Sequence, residues 1–210
     1  MSRLYDISQL MRAGMPVWPG DTSFAHEPTW VLDGQCPVNV SRLTLSTHTG
    51  THADAPSHYA VDGQAIEGVD LAPYLGPCVV LDMRHAGPVV QPDHLLPVLP
   101  ARVERVLLRT WERFPQDGWR SDFTTIAPES IDLLAERGAR LIGVDSPSLD
   151  PEVDSRLLAH WRVHQHGMAI LEGLVLDAVP PGHYELIALP LKLAGADASP
   201  VRALLRELDG

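Results

Sequence analysis

The chain has 210 residues, of which 45% are hydrophobic and 20% are charged, as in ordinary globular domains with a sizeable core. Its formal net charge of -11 argues against nucleic acid or an anionic membrane surface as a partner. The first residues lack the apolar core of a signal peptide and no apolar run approaches a membrane span, so we expect a cytoplasmic protein. The two cysteines, Cys36 and Cys78, are then expected to be reduced and structural.

Proline and glycine are spread along the chain, with 19 prolines and 16 glycines, which predicts many short elements joined by tight turns. No stretch has the composition of a linker, so we expect residues 1–210 to form a single domain. Short runs rich in valine, isoleucine and leucine predict seven strands. In chain order these are Leu4–Ile7, Val40–Ser46, Cys78–Met83, Arg105–Arg109, Arg140–Val144, Met168–Leu174 and Glu185–Leu193.

Three helices are predicted from their end signals. Pro128–Arg137 begins with a proline, which suits the first helical position, and is followed by a glycine that can cap its C-terminus. Ser155–His166 also ends at a glycine, and Pro200–Leu208 follows a serine that can serve as its N-cap. Strands therefore outnumber helices, and the sequence predicts a mixed α/β domain.

Three histidines and an aspartate lie within eleven residues, as His48, His52, Asp54 and His58, with small residues between them. Imidazole and carboxylate ligands together suit zinc, manganese or iron(II). The even spacing would place all four on one face of an extended segment, and the glycine and proline between them disfavour a helix. We therefore place this metal motif at the end of the Val40–Ser46 strand. A histidine-rich surface loop that binds metal by accident is the alternative.

A second informative region contains Glu172 within the apolar Met168–Leu174 strand. An ionised carboxylate there is costly unless it is paired, protonated or bound to a metal, although an edge strand facing solvent would also accommodate it. Upstream, His160 and His164 would share one face of a helix, so either could point inward. The residues themselves do not choose between these two histidines.

The chain resembles the cyclase-like metal-dependent hydrolases, and within them the bacterial kynurenine formamidases, or arylformamidases. Six segments spread over nearly the whole chain carry the resemblance. They are Pro16–Thr22, Asn39–Leu45, His48–His58, Gly143–Ser148, Glu172–Leu174 and Tyr184–Leu191. The resemblance implies a swivelling β/β/α fold and a homodimer or higher oligomer.

The same resemblance implies roles for seven residues and a cofactor of two zinc ions per subunit. His48, His52 and Asp54 match ligands of a first zinc, and His160 matches a ligand of the second. Asp54 and Glu172 match carboxylates that bridge both ions. His58 matches the proton donor and acceptor, and Trp18 matches a residue that contacts the substrate. This choice of His160 over His164 comes from the resemblance and not from helix geometry.

The implied reaction is hydrolysis of N-formyl-L-kynurenine to L-kynurenine and formate in tryptophan degradation. A carboxylate-bridged metal pair suits it, because the ions lower the pKa of water and polarise the formyl oxygen. A histidine with an ordinary pKa near roughly 6.5 suits the proton transfers, and a tryptophan face suits an aromatic ring. The alternatives are another aryl or cyclic amide of the isatin type, or a non-catalytic zinc-binding or structural metal protein. Ligation without cysteine favours an open, catalytic site over a closed structural one.

The remaining polar and aromatic residues receive weaker assignments. Asp145, at the end of a predicted strand, is expected to orient a metal-ligating imidazole, with His164 and His166 as further candidates for such outer contacts. The histidines outside the motif and His160 are predicted to be exposed or satisfied in the core; they are His26, His85, His94, His164, His166 and His183. The segment that contains Arg109, Trp111, Arg113 and Trp119 could form a binding patch, but we expect it to be a loop packed onto the core.

Overall fold

The computed structural model describes residues 2–208. In this range the strands are β1 (Leu4–Asp6), β2 (Ala25–Trp30), β3 (Val40–Thr44), β4 (His52–Asp54), β5 (Leu75–Asp82), β6 (Val89–Val90), β7 (Arg105–Arg109), β8 (Thr125–Ile126), β9 (Leu141–Val144), β10 (Ala169–Glu172), β11 (Gly182–Ile187), β12 (Ala198–Pro200) and β13 (Leu204–Glu207). The helices are α1 (Pro92–Leu95), α2 (Pro128–Glu136) and α3 (Leu158–Gln165), with 3-10 turns at Pro56–His58, Ile66–Gly68 and Ala72–Tyr74. Strands outnumber helices, as predicted.

A nine-stranded sheet organises the fold, in the order β1-β13-β11-β5-β7-β9-β10-β4-β12. The central neighbours β5, β7, β9 and β10 run parallel to one another, and the outer pairs are antiparallel. Parallel neighbours need crossover connections, and the short α1 and the longer α2 and α3 lie in these crossovers. The last crossover, through α3, leads into β10 and so brings a helix beside the end of the sheet that contains β4.

Each face of the sheet has its own hydrophobic core. One core packs α2 and α3 on alternate residues of the central strands, such as Val106 and Leu108 of β7. The intervening Leu107 belongs to the second core, which joins residues from both ends of the strand order, such as Leu205 of β13 and Ala53 of β4. The sheet therefore curls on that side and covers its own face. Burial on both faces explains why the central strands are continuous apolar runs.

The strands β2 and β3 form a separate antiparallel hairpin that projects from this body. Every residue of β3 is exposed, and five of the six residues of β2 are exposed. Its apolar side chains include Trp30, which is 57% exposed, and Leu43, which is 52% exposed. An isolated two-stranded hairpin is marginally stable in water, so this element needs a contact beyond its own strands.

Most predicted elements are confirmed with small shifts of their ends. The predicted strand at Arg105–Arg109 is found unchanged, and α2 begins at Pro128 as expected and is followed by Gly138 at a φ of +92°. The last predicted strand, Glu185–Leu193, is displaced toward the N-terminus, because β11 ends at Ile187. Cys36 and Cys78 are both free, as predicted.

The predicted helix Pro200–Leu208 is wrong. Its residues end β12 and form β13, which lies between β1 and β11 and pairs with both of them. Leu205 is fully buried in the second core. Pairing on two sides and burial outweigh the local helix propensity of this segment, a weak preference that tertiary contacts often override. Ser199 does not cap a helix; its hydroxyl accepts a hydrogen bond from the Leu191 backbone N–H.

The helix predicted for Ser155–His166 starts three residues later, at Leu158. Leu157 precedes it in the left-handed region, with a φ of +48°, which interrupts the helix on that side. The carboxylate of Asp150 accepts hydrogen bonds from the backbone N–H groups of Ala159 and His160 and so caps α3 from an earlier loop. No helix in residues 2–208 is long and apolar enough to cross a membrane.

Candidate metal centre and active site

The register of two neighbouring strands sets the centre of the site. In the antiparallel pair β4 and β10, Glu172 lies directly opposite His52. Asp54 follows two residues after His52 on β4, so its side chain projects on the same face of the sheet. All three residues are buried, at 2–4% exposure. The sheet itself therefore brings two carboxylates and one imidazole together.

Two further histidines reach this group from outside the strands. His48 lies in the turn before β4, and His160 lies in the first turn of α3, which contacts β10. The prediction of one extended segment from position 48 to 58 is thus wrong, because only His52–Asp54 is a strand. The Val40–Ser46 region forms part of the separate hairpin, and turns on both sides of β4 fold the chain around the site.

Asp54 is the centre of the cluster. Its Oδ1 lies 3.2 Å from His48 Nδ1 and 3.4 Å from His52 Nε2, and its Oδ2 lies 3.5 Å from His160 Nε2. The two oxygens of one carboxylate therefore face different histidines. This arrangement has the form of a bridging carboxylate.

The two carboxylate oxygens of Glu172 also face different histidines. Its Oε2 lies 3.5 Å from His52 Nε2, and its Oε1 lies 3.4 Å from His160 Nε2. Oε1 also accepts a hydrogen bond from the backbone N–H of Leu149, at 3.0 Å. The solvent-facing alternative for Glu172 is wrong, because β10 lies between β9 and β4 and its carboxylate points into the cluster.

Gly173 allows the end of β10 to approach the turn that contains His48. Its φ is +64°, and a Cβ added here would lie 2.7 Å from the backbone oxygen of Gly50. Across the same contact, the Thr51 hydroxyl donates a hydrogen bond to the Gly173 carbonyl. A side chain at position 173 would push Glu172 away from the histidine turn.

In His48, His52 and His160, one ring nitrogen faces the carboxylates of the cluster and the other lies next to an oxygen acceptor. His52 Nδ1 lies 3.0 Å from the Gly50 carbonyl, so it is the donor, and this tautomer leaves the lone pair of Nε2 facing the carboxylates. His160 Nδ1 is 2.7 Å from Asp150, and His48 Nε2 is 3.1 Å from Asp197. Oxygen acceptors in these positions are typical of histidines that bind metals.

Three buried atoms in the cluster lack a hydrogen-bond partner: His52 Nε2 and both carboxylate oxygens of Asp54. Buried polar atoms without partners are costly, and these three converge on one space. Imidazole nitrogens and carboxylate oxygens are ligands of zinc and of similar divalent ions. The residues present therefore fit a metal centre, and the division of oxygens at Asp54 and Glu172 fits two ions.

The carboxylates and the imidazoles of the cluster shift one another's pKa values toward the charged forms. Burial acts to lower the pKa of His48, but contacts with Asp54 and Asp197 outweigh it and raise this pKa to about 9. Burial would raise the pKa of Asp54 and of Glu172, yet the surrounding imidazoles hold both pKa values below their usual range. The two carboxylates therefore stay ionised and require positive charge beside them.

His58 lies at the border between the cluster and solvent. It ends the 3-10 turn Pro56–His58, its side chain is 33% exposed, and its ring centroid is 4.2 Å from that of His48. Burial lowers the pKa of His58, and the charge of Asp54 opposes this effect in part. His58 therefore combines nearness to the cluster with more exposure than His48, His52 or His160, whose side chains are 19%, 5% and 2% exposed.

A cavity of about 770 Å³ opens above the cluster, and His48, His52, His58, His160 and Glu172 line its floor. Its walls come from three loops that contain residues 16–21, 111–120 and 147–157. Trp18 packs edge-on against Trp119 with ring centroids 5.3 Å apart, and it also contacts Phe123. The polar floor and aromatic wall would suit a flat, partly apolar molecule with one polar group to be attacked.

The family model described as "Putative cyclase" matches residues 5–151, which is more than half of the chain. The chain belongs to this cyclase family. A curated relative, kynurenine formamidase from Maricaulis maris (strain MCS10), is 54% identical over 208 residues, covering 99% of this chain and 100% of the relative.

Solved structures with the same fold support this membership. A predicted metal-dependent hydrolase from Bacillus stearothermophilus is 31% identical with a TM-score of 0.84, and 98% of each chain is covered. Isatin hydrolase A from Labrenzia aggregata, bound to benzyl benzoate, is 26% identical with a TM-score of 0.85, covering 98% of this chain and 93% of that one. The cyclase-family chain is therefore an enzyme of the metal-dependent hydrolase type.

The structure corrects the assignment of the outer carboxylate in this cyclase-family site. Asp145 does not orient an imidazole: it accepts hydrogen bonds from the backbone N–H groups of Thr110 and Trp111 and from the Thr110 hydroxyl. Burial raises the pKa of Asp145 to about 6, against these hydrogen bonds. The predicted role is taken instead by Asp150, in the loop ten residues before His160, and by Asp197, which lies 149 residues from His48. Neither carries a local sequence pattern that marks it.

The structure also tests other expectations about the surroundings. His166 bonds to Asp132 on the surface, and the ring of His164 packs against Tyr59. Both agree with the expectation of exposed or core-satisfied histidines, and neither takes the alternative outer position next to a cluster histidine. Trp111 and Trp119 are not simply packed onto the core, since both line the cavity. Trp119 could have been found only from the clustering of aromatic residues in its segment.

Proposed function

We propose that this protein hydrolyses N-formyl-L-kynurenine to L-kynurenine and formate, a step of tryptophan degradation through kynurenine. The observation that carries the proposal is a buried cluster of histidines and carboxylates at the floor of an aromatic-walled cavity. Such a site fits a formyl amide at the metals and an aryl ring against the wall. The full-length similarity to a kynurenine formamidase, at 54% identity, supports the choice of substrate.

The proposal includes two zinc ions per subunit. His48 and His52 would hold the first, His160 would hold the second, and the carboxylates of Asp54 and Glu172 would be shared by both. The support is that the two oxygens of Asp54, like those of Glu172, face different histidines. When bound, such ions lower the pKa of water to roughly 7 and polarise a carbonyl oxygen.

His58 is proposed as the proton donor and acceptor. It takes a proton from the attacking water, whose oxygen bonds to the formyl carbon, and it delivers that proton to the aryl nitrogen as the carbon–nitrogen bond breaks. Its ring lies beside the proposed ligand His48 and is accessible from the cavity. The products of this step are formate, the free arylamine and one proton released to solvent, so atoms and charge balance with one water consumed.

Trp18 is proposed to contact the substrate ring. It lines the cavity, and its edge-on contact with Trp119 holds its indole in place. An aromatic substrate packed here would have its formyl group directed to the metal floor. Trp119 extends the same aromatic wall and would share this function, and the buried Phe123 packs against both indoles.

We also propose a homodimer, a cytoplasmic location and a single domain over residues 1–210. Exposed apolar side chains on the β2 and β3 hairpin, such as Trp30 and Leu43, support a self-association surface. Two free cysteines are consistent with a reducing compartment. Sedimentation analysis would test the dimer: a wild-type dimer that becomes monomeric in Leu43→Asp supports it, and a monomeric wild type would exclude it.

Isatin-type amides are the second candidate substrates, because isatin hydrolase A shares the fold with a TM-score of 0.85. Its identity of 26% is about half that of the formamidase relative, so the formyl amide is the stronger proposal. A non-catalytic zinc-binding protein would need neither the cavity nor the partly exposed His58.

The deciding experiment is absorbance-monitored hydrolysis of N-formyl-L-kynurenine, with isatin measured in parallel. The assay is run on the purified protein, after chelation, and after zinc is added back. We expect rapid turnover that chelation abolishes and zinc restores. Turnover of isatin alone would support the alternative substrate, and no turnover by zinc-loaded protein would reject both.

A further inference from the structure

Asp197 lies next to the site because of strand pairing at the far edge of the sheet. In the β4 and β12 pair, Ala198 is opposite Asp54. The residue before it, Asp197, accepts a backbone hydrogen bond from the N–H of Ala55 at 2.9 Å. A residue 143 positions after Asp54 is thereby fixed beside the histidine motif.

One oxygen of the Asp197 carboxylate faces two imidazoles. Its Oδ2 lies 3.1 Å from His48 Nε2 and 3.7 Å from His58 Nδ1. The other oxygen, Oδ1, accepts a hydrogen bond from the Thr47 hydroxyl at 2.8 Å. Thr47 therefore fixes the rotation of the carboxylate, and Oδ2 is held between the two rings.

We propose that Asp197 is a positioning residue that holds the metal-facing ring of His48 and the proton-transferring ring of His58 with one carboxylate. The proposal rests on the roles proposed above for these two histidines. By accepting from His48 Nε2, Asp197 keeps Nδ1 directed toward Asp54 and the metal. By its nearness to His58 Nδ1, it leaves Nε2 of that ring free to face the substrate.

The shared contact distinguishes Asp197 from Asp150, which bonds only one of the site histidines, His160. Asp150 also caps α3, so its removal would disturb the helix. Asp197 is 47% exposed on its side chain and caps no helix. It can therefore be changed with less risk to the fold, and a small carboxylate from solution can reach the place that it occupies.

The first test compares Asp197→Asn with Asp6→Asn. Asp6 is a matched control, because its side chain is 43% exposed and its carboxylate bonds to Arg202 and to the Ser8 backbone N–H, not to a histidine of the cluster. We measure zinc affinity by competition with a chromophoric chelator and turnover with N-formyl-L-kynurenine. For Asp197→Asn we expect zinc affinity and kcat each to fall about 10–100-fold, with little change in KM. If neither differs from the control, the proposal is wrong.

The second test separates the two histidines with the double variant Asp197→Asn/His58→Ala, assayed at high enzyme concentration. If Asp197 acts on turnover partly through His58, its replacement will cost less kcat in the His58→Ala background than in the wild type. The loss of zinc affinity should be the same in both backgrounds. A fully retained kcat effect would mean that Asp197 acts through His48 alone, and it would overturn the shared role.

The third test is chemical rescue of Asp197→Ala with acetate. We expect acetate to restore part of kcat in this variant and to leave the wild type and Asp6→Asn unchanged. If Asp197 had only a structural role, Asp197→Ala would have a lower Tm and acetate would not restore its kcat. This result would refute the positioning role. If the protein does not hydrolyse N-formyl-L-kynurenine, the proposed function is rejected. The zinc affinity of Asp197→Asn would still test the contact with His48, because this measurement needs no substrate.

Discussion

The floor and the wall of the cavity are built in different ways. Strand register sets the centre of the floor: His52 lies directly opposite Glu172 on the paired strands β4 and β10, Asp54 projects on the same face two residues after His52, and all three are buried. The wall comes from three separate loops, and its aromatic residues, such as the partly exposed Trp18 and Trp119, lie on two of them. Strand register fixes atoms closely, and loops allow variation. The difference suggests that the floor determines the chemistry and the wall determines which molecule is accepted.

The strongest way to test the floor is Glu172→Ala. Because this carboxylate lies between His52 and His160, its removal should release at least one metal per chain and lower kcat by at least about 10³-fold. Elemental analysis and steady-state kinetics measure both effects. Glu185→Ala is the control, since Glu185 lies on β11 and pairs with Arg206 away from the cavity. Unchanged metal content in Glu172→Ala would refute its bridging role.

His58→Ala tests the border between floor and wall. The variant should keep its metal and lose about 10²–10⁴-fold in kcat, because a general acid and base is removed without any proposed ligand. Metal content and kcat are measured on the same preparation. His164→Ala, whose ring packs on Tyr59 nearby, should retain kcat within about twofold. Full activity in His58→Ala would exclude the proton-transfer role.

Trp119→Ala should affect substrate binding and leave the metal in place. Loss of an aromatic contact of about 0.5–1.5 kcal/mol raises KM roughly 2–12-fold. Steady-state kinetics and elemental analysis provide the measurement, with Trp161→Ala as control, because Trp161 is 45% exposed on α3 outside the cavity. Loss of metal in Trp119→Ala would show that the wall residues also contribute to metal binding, and it would contradict the separate functions of floor and wall.

Glu152→Ala should have the smallest effect. Its carboxylate accepts a hydrogen bond from the Trp119 indole N–H at 2.8 Å and joins two wall loops. Loss of this bond, worth about 0.5–1 kcal/mol, should raise KM about 2–5-fold with kcat unchanged. In the Trp119→Ala background the same change should add nothing. An additive effect would mean that Glu152 contacts the substrate directly.

The sequence predicted the floor better than the fold around it. Residue type and spacing singled out His48, His52, Asp54 and His58, and the structure brings them together with His160 and Glu172. The predicted helix Pro200–Leu208 failed because β13 is a strand only through its pairing with β1 and β11. The hairpin strand β2 was missed, since its exposed residues lack an apolar pattern.

What the sequence indicated by itself is the metal motif at His48–His58 and the mixed α/β class, because both depend on residue type and local spacing. The choice of His160, the places of Asp150 and Asp197, and the aromatic wall depended on tertiary structure or on resemblance to a family. Asp197 lies 149 residues from His48, and only the pairing of β12 with β4 makes them neighbours. Contacts of this kind arise from register and chain crossing, which leave no local pattern in a single sequence.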